Sequence, residues 1–169
     1  LMQCNTNYTA GNENFNYINL NVLKYFKKKY KDKITLGLSD HTLGHTTVLG
    51  AITLGARVVE KHFTDNNSRV GPDHKFAMNF NTWKTMVDES RNLENSLGNG
   101  IKKIEYNEIE TVKVQRRSIR ATRNLTQGIK INKKDIIMLR PCSKQGIPPY
   151  LSKKVIGRKI TKMILKGDE

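Results

Sequence analysis

Three short apolar runs alternate with three stretches of helical periodicity through the first hundred residues, and this alternation constrains the fold more than any other feature. The runs, Leu1 to Cys4, Ile34 to Leu38 and Arg57 to Lys61, are each of strand length. Asn14 to Lys29 places Phe15, Ile18, Val22, Leu23 and Phe26 at helical spacing, with lysines gathered where they suit the negative end of a helix dipole. Thr46 to Ala56 is rich in small and apolar residues, as a helix packed on a sheet should be. Phe80 to Leu97 sets Trp83, Met86, Val87 and Leu93 on one face, and Gly98 and Gly100 supply its stop. Repeated strand–helix units with buried strands call for a parallel sheet and an α/β fold, which an open doubly wound sheet and a barrel both satisfy. Three strands cannot close a barrel. Because the chain opens on Leu1 within a run that reads as the end of a buried strand, further strands are expected from a preceding segment.

After Gly100 the texture changes. Residues 101–116 are polar and charged and read as a linker, which divides the chain into 1–100, this linker and 117–169. The last part offers only short strand-like pieces and turns, with one helical turn at Asn132 to Ile136, and is expected to be a small, mostly β module that breaks off at "KGDE". The net charge of +15 is unevenly placed, +3 on residues 1–100 and +12 on residues 101–169. Such a segment suits an anionic partner or a solvated exterior. Two cysteines, Cys4 and Cys142, form no framework spacing and point to a reducing, cytoplasmic setting. No run approaches the roughly 18 apolar residues that a membrane helix needs, so no membrane partner is expected.

The chemistry-bearing residues collect where strands end. In parallel α/β folds ligands sit at the carboxyl ends of the strands. His41 follows "TLGLSD" and His62 follows "RVVEK"; neighbouring strands would bring their ends to within about 5 Å. Two imidazoles so placed can grip one metal ion and leave positions open for water and substrate; each can equally be an ordinary hydrogen-bonded histidine. Ser39, Asp40 and Thr42 flank the first, and Thr64, Asp65, Arg69, Asp73 and His74 follow the second, groups suited either to an anionic or hydroxylated ligand or to solvated turns. His45 opens a helix and reads as a cap or surface residue.

The stretch "LSDHTLGHTTVLGAITLGARVVEKHFTDNNSRVGPDHKFAMN" resembles the second-half signature of the sialic acid synthases, which make N-acetylneuraminate, legionaminate and pseudaminate. The later "RRSIRATRNLTQGIKINKKDIIMLRPCSKQGIPPYLSKKVIGRK" resembles their C-terminal antifreeze-like (SAF) domain. The resemblance implies the last three βα units of a (β/α)8 TIM barrel, followed by a SAF module. It also implies an enzyme that condenses phosphoenolpyruvate with an N-acylated mannosamine-type sugar to a nine-carbon 2-keto acid, releasing phosphate with the help of Mn2+ or Mg2+. His41 and His62 match its metal ligands, Ser39 a phosphoenolpyruvate contact, and Asp73 a residue that holds sugar hydroxyls. Tyr8 matches a substrate contact and Thr6 a polar position before it, although the family's "YP" is here Tyr8 followed by Thr9. Arg140 of "LRP" matches an arginine that reaches the partner subunit's active site in a domain-swapped homodimer.

The remaining phosphoenolpyruvate contacts of that family fall in a first half not represented among these residues, so the segment alone is expected to be inactive. The competing reading is a non-catalytic module that binds anions or nucleic acid through its basic half, with a steep salt dependence.

Overall fold

The computed structural model describes residues 1–8 and 11–169; Thr9, where the sequence departs from "YP", lies outside the described residues. The chain divides into two compact units, Leu1–Ile101 and Lys102–Glu169.

In the first unit, strands β1 (Met2–Cys4), β2 (Gly37–Asp40) and β3 (Val58–Lys61) form a parallel sheet in the order β1-β2-β3. Helices α1 (Val22–Tyr30) and α2 (Thr46–Thr53) connect them, and α3 (Phe80–Leu97) follows. The strand–helix alternation in the sequence thus becomes an α/β fold with a parallel sheet. Leu23, Leu36, Leu38, Val48, Ala51 and Met86 make the buried core between sheet and helices. Gly37 allows the close approach of β3: a Cβ there would sit 2.7 Å from the Val58 carbonyl oxygen.

Two expected boundaries move for physical reasons. The helix expected from Asn14 splits into a 3-10 segment, Asn12–Tyr17, and α1, which begins only at Val22. Asn14 is fully buried and donates its side-chain amide to the Asn7 carbonyl, while Asn19 takes a left-handed φ of 50° that interrupts the helix. Asparagine tolerates that conformation, and its amide competes with the helical backbone. The strand expected at Ile34–Leu38 instead pairs over Gly37–Asp40, because the ladder runs past the apolar residues into Ser39 and Asp40. α3 is fixed at its start by a reciprocal cap, Asn79 with Thr82, and ends before Gly98 at φ 58°.

In the second unit, β4 (Ser118–Ala121) pairs antiparallel with β5 (Ile136–Leu139). Isolated bridges join Leu125 to Ile164 and Lys130 to Lys159 around a small core of Ala121, Leu125 and Ile160. The segment expected as a linker is not structureless: helix α4 spans Ile109–Gln115, preceded by a Glu105–Glu108 capping box and stitched by a Lys113–Glu110 ion pair. Its charged surface concealed an ordinary solvated helix. A short helix, α5 (Ser152–Val155), follows later in this unit. Among the described residues no helix is long and apolar enough to cross a membrane.

Candidate functional site

The parallel ladder determines where the polar residues arrive. Cys4 is the register partner of Ser39, Ser39 of Glu60, and Asp40 of Lys61, so the residues that follow each strand emerge side by side at one end of the sheet. His41 follows β2 and His62 follows β3, and their ring centroids lie 5.0 Å apart. Tyr8, beyond β1, lays its ring 4.2 Å from His41 and 5.4 Å from His62, centroid to centroid. Phe76 joins the same cluster, 5.1 Å from His62, 5.9 Å from His41 and 6.2 Å from Tyr8, centroid to centroid.

Both imidazoles use the same nitrogen toward the protein. His41 is buried, and its Nδ1 lies 2.8 Å from the Asn5 carbonyl oxygen. A carbonyl only accepts, so this contact places the proton on Nδ1 and leaves the Nε2 lone pair free. Asp73 Oδ2 stands 3.3 Å from His62 Nδ1 and favours the same tautomer there. A carbonyl or carboxylate on the far nitrogen is the arrangement that orients a histidine for metal binding and raises its basicity. The donor set therefore fits a divalent ion. Two nitrogens are only part of a coordination shell, and among the described residues no group of three His, Cys, Asp or Glu side chains converges.

The other residues singled out in the sequence fall in varied places. Ser39 donates its hydroxyl to Glu60 at 2.6 Å, on the face of the sheet opposite Asp40. Thr6 is exposed in the turn after β1. Asp73 is half exposed, with one oxygen toward His62. Arg69 is engaged by Asp65 at 2.9 Å and holds that carboxyl below its usual range. Thr64 and His74 bond each other at 2.8 Å. Arg140 belongs to the second unit, where its Nε donates to the Gln115 carbonyl at 2.7 Å.

The sequence reading passed over Lys61, Phe76 and the Asn5 carbonyl. Lys61 Nζ lies 2.6 Å from Asp40 Oδ2 and donates to the Thr42 carbonyl at 2.7 Å, with both charged side chains essentially inaccessible. Asp40 also accepts from the Thr42 and Thr47 hydroxyls, at 2.9 and 2.6 Å. A signal for the pair was present, since the residues immediately before the two histidines carry opposite charges.

The chain is 35% identical over 99% of its length to an N,N'-diacetyllegionaminic acid synthase of Legionella pneumophila, covering 45% of that protein. It is 32% identical over 99% of its length to a pseudaminic acid synthase of Campylobacter jejuni, covering 46% of it. The chain thus spans about half the length of these relatives. A solved structure of a spore coat polysaccharide biosynthesis protein from Bacillus subtilis aligns with 98% of the chain and 49% of its own, at 28% identity and a TM-score of 0.51. The model of the NeuB family matches residues 1–102, which include both histidines and all three parallel strands, and the chain belongs to that family.

Proposed function

We propose that the protein carrying this segment condenses phosphoenolpyruvate with an N-acylated mannosamine-type sugar, giving a nine-carbon 2-keto acid and releasing phosphate. The observation that carries the reading is the matched pair of histidines, each with Nδ1 turned to a protein acceptor and Nε2 free. The legionaminic and pseudaminic acid synthases among the relatives support the reaction class. The sheet is read as the last three βα units of a (β/α)8 barrel and the second unit as a SAF module. Arg140 would serve the partner's site in a domain-swapped dimer, and the enzyme would work in the cytoplasm.

His41 and His62 would hold the divalent metal, Mn2+ or Mg2+. A divalent ion there supplies Lewis-acid polarisation of the sugar's carbonyl oxygen. The chain's own residues seat the reactants. Tyr8, with half its surface exposed, gives the sugar an aromatic wall beside both histidines. Asp73 has an outer oxygen for a sugar hydroxyl while the inner one steadies His62. Ser39 would exchange its Glu60 partner for phosphoenolpyruvate. In the reaction, C3 of phosphoenolpyruvate bonds to the aldehyde carbon, whose oxygen takes up a proton. Water adds at C2 and gives up one proton, and the resulting C2 hydroxyl loses its other proton to become the ketone as the C2–O bond to phosphate breaks and phosphate leaves. The test is phosphate release by the full-length protein from phosphoenolpyruvate and a panel of N-acylated mannosamine-like sugars. Turnover is expected with at least one sugar and is lost in His41→Ala and His62→Ala; undiminished turnover in both variants would overturn the assignment.

A further inference from the structure

Lys61 and Asp40 form a buried ion pair that the proposed reaction does not use. Two charges removed from water gain little net stability, because desolvation offsets their attraction, and a well-packed apolar pair of similar volume often does as well or better. What such a pair supplies is direction. Lys61 is covalently joined to His62, and its ammonium bonds the Asp40 carboxylate at 2.6 Å and the Thr42 carbonyl at 2.7 Å, the residues on either side of His41. One side chain therefore holds both flanks of one histidine from the backbone of the other. The Thr42 and Thr47 hydroxyls and the Thr42 N–H, all bonded to Asp40, complete the seat. A slip of one residue between β2 and β3 would turn one strand's side chains to the opposite face and break both Lys61 contacts.

We propose that Lys61 is a positioning residue that fixes His41 relative to His62, so that their free nitrogens meet one ion. This rests on the reading that the two histidines bind a metal. The experiment measures Mn2+ affinity of the full-length protein by the loss of the free-ion electron paramagnetic resonance signal, well below the unfolding temperature of each variant. Lys61→Met should weaken Mn2+ binding by roughly tenfold to a hundredfold, the range for residues that support metal ligands. Leu93→Ala, destabilised at a site packed on the core, should bind like wild type. If wild type binds no Mn2+, or His62→Ala binds as wild type does, the metal reading fails and the inference with it. If His62→Ala loses binding while Lys61→Met keeps wild-type affinity, the positioning role alone is refuted. Should Lys61→Met not fold, the double variant Asp40→Leu/Lys61→Met replaces the charges by apolar groups; weakened binding supports the role, and wild-type affinity in the folded double variant refutes it.

Discussion

Replacing Lys61 by Met removes a buried ammonium and leaves the Asp40 carboxylate without its countercharge. Breaking a buried pair from one side costs about 3–5 kcal/mol, mostly because the remaining charge stays buried and unpaired. Asp40 keeps three donors, the Thr42 N–H and the Thr42 and Thr47 hydroxyls, which places Lys61→Met near the low end, at about 3 kcal/mol. Asp40→Asn is the harsher change, because the ammonium then retains the Thr42 carbonyl as its acceptor with no countercharge. A loss of about 3 kcal/mol raises the opening equilibrium by roughly two orders of magnitude. Hydrogen exchange read by mass spectrometry on peptides spanning β2 and β3 would register it as a matching loss of protection. Unchanged protection in Lys61→Met, or a milder effect from Asp40→Asn than from Lys61→Met, would refute the accounting of partners.

Leu38→Ala, at a fully buried position of the central strand, is expected to cost about 2–5 kcal/mol, measured by chemical denaturation. Asn79→Ala removes the acceptor of the Thr82 N–H and should cost about 1 kcal/mol, seen as faster amide exchange in the first turn of α3. In the second unit, hydrogen bonds from Ser118 and Ser143, with the Arg120 charge, lower the Glu169 carboxyl from 4.5 to about 2. A carboxyl whose value falls on folding stabilises the folded form above its ordinary value, and that contribution is lost as pH drops from 4.5 toward 2. Protection of the β4–β5 amides should therefore decline over this window, and Glu169→Gln should flatten the decline; identical pH profiles would contradict the assignment.

The parallel sheet was legible because its signal is local: short apolar runs, helical spacing and glycine stops occur within single segments. The meeting of His41 with His62 was legible as geometry, since adjacent parallel strands deliver their ends together. The orientation of the rings was not, because it depends on the Asn5 carbonyl and on Asp73, groups that no periodicity marks. Lys61 escaped notice for a related reason. A lysine at a strand end ordinarily reaches solvent, and only the register with Asp40 shows that this one is enclosed. Helix α4 was hidden by charge: Lys113 and Glu110 read as linker polarity until their pairing across one helical turn is seen.

The measurement that bears most directly on the site is the position of Mn2+ in crystals of the full-length protein, located by its anomalous scattering. The account predicts one ion bonded to Nε2 of both His41 and His62, with Nδ1 of each still facing the Asn5 carbonyl and Asp73. An ion bonded through either Nδ1, or held elsewhere with the two histidines unligated, would contradict it.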